Sequence, residues 1–367
     1  MFTLRQYLLA LLDSRGLTRT LGEIDVCRDE QGRPCFSAGN SAAVFRIRLG
    51  GRIRSLRCYL RPMRHLKEIY GQRLLEKELY LHTSPETGVW VDTVLGDWIE
   101  GSTLHETVAQ AAALRDRESL QILVRLFDRL ALALVTDDRA HGDLKPENII
   151  VGDDGTLCPI DFDASYLPAF AGEISPELGT AAYQHPARTA ADFDERIDDY
   201  PAALISTALH ALAEDPTLWD RYGSSDGLLY TPQRIASDPA YRETLALFEK
   251  RGMAVQYRIA QLLTAPTLRL FGLAELLAEA GILPYEKILV VNRTNASRLE
   301  TYAIPGVPGE RTFCLNGPAA HLGNIGDVIT VMAFSVMSEE EARRVAPAVI
   351  VLNEKNEIIL RKGAAVK

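Results

Sequence analysis

The sequence is short of the residues that build metal knuckles, disulfide scaffolds and membrane spans. Its five cysteines, Cys27, Cys35, Cys58, Cys158 and Cys314, are scattered, odd in number and set in apolar or strand-like surroundings. No CxxC pair occurs, which argues against zinc and against a disulfide framework. No apolar run reaches the roughly eighteen residues that a membrane helix needs, so no span is expected. Basic residues are the minority: 40 Lys and Arg stand against 49 Asp and Glu, a net charge of −9. Bulk binding to nucleic acid or to an anionic membrane is therefore not expected. Aromatic platforms for stacking bases are also missing, and Trp90, Trp98 and Trp219 read as core or hinge. Repeats and low-complexity tracts are absent. The opening "MFTLRQYLLALLDSRG" lacks the apolar core and small-residue cleavage site of a signal peptide and reads as an amphipathic helix. The cytoplasm is the expected location.

What is present is an ordinary globular composition. With 367 residues, 47% apolar and 24% charged, the chain can form two or three domains around sizeable cores. "AAVFRIRLGGRIRSLRCYL" alternates apolar and charged residues about Gly50-Gly51, a hairpin signal. Its basic run has two readings, a strand pair with a basic solvent face or a surface that meets phosphates. "MRHLKEIYGQRLLEKELYL" has helical periodicity, and "GVWVDTVLGDWIEG" returns to strand character. From Thr103 the chain turns helical, through "SLQILVRLFDRLALALVTDDR", "DDYPAALISTALHALAED" and "AYRETLALFEKRGMAVQYRIAQLLT". Past Gly281 come short β-branched runs broken by Gly, Pro and Asn, which predict an all-β unit. The fold class expected is α+β, with boundaries that give 1–100 (helix and strand-rich lobe), 101–270 (helical lobe) and 271–367 (β unit).

"AHGDLKPENIIVGDDGTLCPIDFDASY" carries the chemistry. Asp143 is followed five residues later by Asn148 and eighteen later by Asp161, each at the edge of a short apolar run. Phosphoryl transfer needs a group that orients the attacking hydroxyl and a metal that neutralises phosphate charge. Magnesium takes one or two protein oxygens and completes its shell with phosphate and water. Asp143 could accept the hydroxyl proton, Asn148 and Asp161 could hold the metal, and Lys145 could face the moving phosphate. Singly these are ordinary turn residues; the order and spacing are what single them out. His141 reads as a hydrogen-bonded core residue beneath the loop.

From about Ile24 to Leu263 the chain resembles the protein-kinase family. "HGDLKPEN" looks like the catalytic loop, with Gly142 where most members carry arginine, and "DFD" looks like the metal-binding DFG motif with its glycine replaced. The resemblance implies a bilobal fold, ATP and Mg²⁺ as cofactors, and a protein hydroxyl as acceptor. It carries Asp143 over as base, Lys145 as phosphate contact, and Asn148 and Asp161 as metal ligands. Thr180 in "LGTAAYQHPAR" matches the threonine that braces the catalytic Asp, and Asp198 matches the aspartate that anchors the catalytic loop. "DWIEGSTL" looks like the hinge, where the backbone at Asp97 and Ile99 would meet adenine. "FSAGNSAAVF" stands in for the glycine-rich loop, with Gly39 and small residues such as Ser41. Arg57 takes the place of the family's lysine, and its glutamate partner is expected at Glu76 or Glu68. Gly142 cannot read a loop phosphate, so activity is expected not to need activation-loop phosphorylation. Two rivals share the motifs: a small-molecule kinase of the aminoglycoside or choline type, and a pseudokinase.

Residues from about Glu275 to Ile359 are similar to aspartate 1-decarboxylase, a small double-psi β-barrel, through "TYAI", "NGPAAH", "GD" and "EEA". The resemblance places Arg298, Thr301, Tyr302 and Asn316 at positions that family uses in its active site. Its pyruvoyl group arises by self-cleavage at a Gly-Ser bond, and Leu268-Arg269 stand at that place here. The expectation is a partial barrel with no pyruvoyl group, no decarboxylation and a role in assembly or oligomerisation.

Overall fold

The computed structural model describes residues 1–39, 41–281, 287–302, 313–315, 317–333, 349–354, 356 and 358–362. The chain is mixed α/β and divides into two compact units. The first comprises Met1–Thr107, His141–Gly179 and Thr189–Asp194; the second comprises Val108–Ala140, Thr180–Arg188 and Glu195–Lys367.

The first unit is built on a curled antiparallel sheet. It contains β1 (Asp25–Val26), β2 (Phe36–Ala38), β3 (Ala42–Leu49), β4 (Arg52–Tyr59), β5 (Leu74–His82) and β6 (Gly88–Asp97), in the order β1-β3-β4-β6-β5 with β2 also on β3. The β3–β4 hairpin closes at Leu49↔Arg52, with Gly50 and Gly51 both at positive φ, as a two-residue turn requires. Alternation puts Ala43, Phe45 and Ile47 on the buried face, together with Leu56, Cys58, Leu79 and Leu81. Helix α1 (Leu4–Leu12) covers this face with Tyr7, Ala10 and Leu11. A capping box between Thr3 and Gln6 starts it, and Tyr7 donates to the Tyr59 carbonyl at 2.6 Å.

The helical periodicity read over 63–81 is overturned. Only α2 (Leu66–Tyr70) forms, Gly71 follows it at φ 53°, and a short 3-10 turn leads into β5. Pairing with β6 outweighs local propensity here, because it lets Leu79 and Leu81 reach the core on alternate positions. A register shift between Leu75 and Leu79, with Lys77 at φ 51°, absorbs the mismatch. A second sheet of β7 (Gly101–Thr103), β8 (Ile149–Gly152) and β9 (Leu157–Pro159) completes the unit.

Helix α3 (Leu104–Ala113) passes from the first unit into the second. There α4 (Arg117–Thr136), capped by Asp116, packs on α5 (Asp199–Glu214). Buried Asp128 joins the two helices, accepting from Ser206 Oγ and bonding His210 Nε2, each at 2.7 Å. Helices α6 (Leu218–Tyr222), α7 (Pro239–Arg251) and α8 (Ala254–Leu262) follow; Gly252 at φ 71° ends α7 and splits one long apolar pattern in two. Among the described residues no helix is long and apolar enough to cross a membrane.

The region expected to be all β begins with a helix, α9 (Leu273–Gly281), whose Leu273, Leu276 and Leu277 are buried. It packs against α4. Strands follow as expected: β10 (Lys287–Asn292) between β11 (Arg298–Tyr302) and β12 (Ile329–Ala333), and a hairpin of β13 (Val349–Leu352) with β14 (Ile358–Lys362).

Candidate functional site

The loop from His141 to Asn148 and the stretch from Ile160 to Ala164 lie against each other in the first unit. The β8–β9 pairing, Ile149↔Pro159 and Ile150↔Cys158, brings their ends together. The Ile160 amide donates to the Asn148 carbonyl at 2.8 Å, and buried His141 meets the Ile160 carbonyl through Nε2 at 2.7 Å. The His141 ring also lies 5.0 Å from that of Phe162.

Gly142 is where the two stretches come closest. Its φ is 81°, and a Cβ there would stand 2.0 Å from the Ala164 carbonyl oxygen. No other residue fits without moving backbone. The residue before Asp143 is thus set by packing.

Around Asp143 the contacts are short. Asn148 Nδ2 donates to the Asp143 carbonyl at 2.9 Å and to its Oδ2 at 3.2 Å. Lys145 Nζ sits 3.1 Å from the same Oδ2. A 3-10 turn, Pro146–Asn148, makes this possible by folding Asn148 back toward Asp143. The carboxylate is held by a cation and an amide, which fixes its orientation.

Asp161 takes the left-handed conformation (φ 67°) before a 3-10 turn, Phe162–Ala164. Aspartate tolerates this better than most residues. The turn packs Phe162 against Tyr59, Tyr70 and Val94 and buries Asp163. Arg57, on β4 between Val44 and Val94, pairs with both Asp161 and Asp163. Burial opposes the guanidinium charge, but the two carboxylates overcome this and shift its pKa upward. Tyr70 OH donates to Asp163 Oδ1 at 2.6 Å, and Tyr59 OH to the same oxygen at 3.2 Å. Burial is the main cause that raises both tyrosine pKa values, against the Arg57 cation; Tyr70 and Asp163 add to it at Tyr59, and Asp163 and Asp161 at Tyr70; the hydroxyls remain donors. Asp163, Tyr59 and Tyr70 were not among the residues singled out in the sequence. The available signal was the second acid of "DFD", two residues after Asp161.

The glutamate partners expected for Arg57 are elsewhere. Glu76 is exposed and pairs with Lys67 at 3.3 Å, and Glu68 is exposed on α2. The stretch after the acid pair is tied to the same side: Arg61 pairs with Glu177, and His65 Nε2 is 2.9 Å from Glu173. Burial, outweighing the Arg61 cation, pushes the Glu177 carboxyl above its ordinary pKa.

Gly39 and Ser41 form the turn between β2 and β3, where the Gly39 amide donates to the Ala42 carbonyl at 2.9 Å. A Cβ on Gly39 would meet nothing closer than that oxygen, at 3.9 Å, so packing does not demand glycine there. Asp97 ends β6 with its side chain in solvent, 3.2 Å from Arg54, and Ile99 is half-buried in the segment that follows. Thr180 is half-buried and Asp198 buried at the start of α5, both in the second unit. Among the described residues no group of three His, Cys, Asp or Glu side chains is arranged to hold a metal by itself. An ion at Asn148 and Asp161 would need oxygens from its ligand, as magnesium on a nucleotide has.

In the C-terminal region, Arg298 begins β11 and is exposed; Thr301, three residues on and half-buried, projects from the opposite face of the strand. Tyr302 ends β11, paired in register with Lys287. Asn316 lies outside the described residues.

A family model for aspartate decarboxylase matches residues 273–359. Aspartate 1-decarboxylase of Salinibacter ruber is 55% identical over 84 residues, which are 23% of this chain and 58% of that protein. The enzyme of Bacillus licheniformis is 50% identical over 84 residues (23% of this chain, 66% of that protein). That of Desulfitobacterium hafniense is 52% identical over 82 residues (22% and 65%). The C-terminal segment is aspartate decarboxylase-like. The chain spans less than two thirds of the length of these relatives, and residues 1–272 lie outside the match. The match corrects the expectation that a pyruvoyl group is foreign to this region, because pyruvoyl chemistry belongs to the family matched. The sequence between Ser237 and Ser297 contains no serine, so Leu268 and Arg269 are not the residues from which such a group forms.

Proposed function

We propose that the site around Asp143 is that of an ATP-dependent phosphotransferase of the protein-kinase type, acting on a protein hydroxyl. The contact of Asn148 and Lys145 with the Asp143 carboxylate carries this reading. In it, the sheet of residues 25–97 and the helices from residue 104 onward correspond to the two kinase lobes. Asp143 accepts the proton of the acceptor hydroxyl as its oxygen bonds the γ-phosphorus. The bond from that phosphorus to the β,γ-bridging oxygen breaks, and ADP leaves with the electron pair. Lys145 faces the transferring group. Asn148 and Asp161 would hold magnesium, which would supply neutralisation of the phosphate charge. Arg57 meets the α- and β-phosphates, the turn at Gly39 and Ser41 lies over them, and the backbone at Asp97 and Ile99 receives adenine. Thr180 and Asp198 take structural roles in this reading on the family resemblance alone.

Incubation with labelled ATP and magnesium, offering a protein mixture in one arm and aminoglycosides and choline in the other, tests the reading. Label on protein that is lost in Asp143→Asn is expected. Label on small molecules alone overturns the acceptor class, and label on neither overturns the reading. Phosphatase pretreatment is expected to leave the rate unchanged.

A second reading concerns residues 273–359 and is favoured by the 55% identity: aspartate 1-decarboxylation, in which Arg298 would meet a substrate carboxylate. A pyruvoyl group supplies such chemistry with its electrophilic carbonyl. Full-length protein given L-aspartate would release carbon dioxide and leave β-alanine; no release from a preparation that reacts with carbonyl reagents overturns this reading.

A further inference from the structure

We infer that Asp163, held by Tyr70 and Tyr59, is the positioning residue that fixes Arg57 for its phosphate contact, the task a helix glutamate was expected to perform. The inference rests on the phosphotransferase reading of the site and extends it to a residue which that reading leaves without a role.

Arg57 reaches two carboxylates, and they differ in access. The Asp161 side chain is 40% exposed and the Asp163 side chain 3%. Only the first can be taken over by an incoming metal and its nucleotide. When it is, Arg57 keeps the second, through Nε to Asp163 Oδ2 at 3.0 Å. The other Asp163 oxygen is occupied by the two phenols, so the carboxylate cannot swing away. A planar guanidinium needs its anchor in a fixed plane, more than an ammonium does. The Tyr59 ring, 5.8 Å from the guanidinium carbon, borders it on another side.

The rest of the element explains the substitution. Helix α2 has five residues and ends on Tyr70. It offers Arg57 no acid, because Glu68 is exposed, and it contributes a hydroxyl to Asp163 instead. Replacing the DFG glycine by an acid supplies from the metal-binding turn what the shortened helix does not.

A double-mutant cycle tests this on the full-length protein, with phosphate transfer and Mg-ATP affinity as readouts. Asp163→Asn is expected to lower kcat/KM for ATP at least tenfold in the wild-type background and less than twofold beside Arg57→Met, because it acts through that side chain. Glu68→Gln and Glu76→Gln are expected to stay within twofold of wild type. If Asp163→Asn does not fold, Tyr70→Phe takes its place in the cycle, with a threefold to tenfold loss expected. Independent, multiplicative losses, or a loss in Glu68→Gln or Glu76→Gln as large as in Asp163→Asn, overturn the inference while leaving the phosphotransferase reading intact. If the wild type binds Mg-ATP without transferring it, the cycle is read on affinity. A wild type that binds no Mg-ATP overturns both.

Discussion

In residues 141–164 most polar side chains meet a named partner, whereas in the described part of residues 273–359 the strands leave apolar side chains open to water. Asn148 grips Asp143, His141 holds Ile160, and Arg57 bridges two acids. Val331, Met332, Val349 and Ile359 are all exposed by comparison. Yet the second region carries the 55% identity. The two kinds of signal are independent. A dense polar network reveals what its side chains can do locally, because buried polar groups are rarely left without a function or a partner. Sequence identity over a segment shows descent, and a sheet with wet apolar faces reads as one that buries them against something else.

The largest effect expected within the first region is that of Asp143→Asn, a loss of about a thousandfold in γ-phosphate transfer, with Mg-ATP affinity within threefold by calorimetry. A comparable loss from Arg298→Ala would break the contrast, since it would place the chemistry in the other region. Next come two glycines. Gly142→Ala is expected to cost about 2–4 kcal/mol, read as a fall in melting temperature, because its Cβ would stand 2.0 Å from the Ala164 carbonyl oxygen. Gly39→Ala is expected to change stability by no more than about 0.5 kcal/mol, since the nearest atom is 3.9 Å away, while weakening ATP binding. Equal behaviour of the two in either assay would contradict their assigned roles.

Asp128→Ala is expected to destabilise the α4–α5 pair by about 2–3 kcal/mol, because Ser206 and His210 lose their buried acceptor. Denaturant unfolding measures it, and unchanged transfer per folded molecule would confine the effect to stability. The smallest effect concerns Glu177, whose pKa burial raises. A raised carboxyl pKa favours the folded state below the ordinary value of 4.5, and that contribution is lost as pH rises through the raised one. Glu177→Gln should therefore flatten the melting temperature from pH 4.5 toward neutrality, and an unchanged pH profile would contradict the burial of its charge.

Several elements were legible. The Gly50-Gly51 hairpin, α4 and α5 followed from period and turn chemistry, both of which are local. The stretch 63–81 was misread because its leucines satisfy a helical period as well as a strand, and only the partner strand β6 decides. The loop residues Asp143, Lys145 and Asn148 were visible because their spacing is short enough for local folding to join them. Arg57 lies 104 and 106 residues from Asp161 and Asp163, and no spacing rule could choose Asp163 over Glu68 or Glu76. The close approach of Gly142 to Ala164 was equally hidden, since it arises between two loops. In the C-terminal region the motif matches were legible and the presence of α9 was not, because the apolar run "LAELLAEAG" was assigned with the strands that follow it.

The most direct test is single-turnover transfer of labelled γ-phosphate from Mg-ATP, comparing the wild type with Asp143→Asn in matched, folded preparations. Transfer by the wild type that falls about a thousandfold in the variant is the expected result. Equal transfer in both, or none in either, would contradict a catalytic role for the cluster around Asp143.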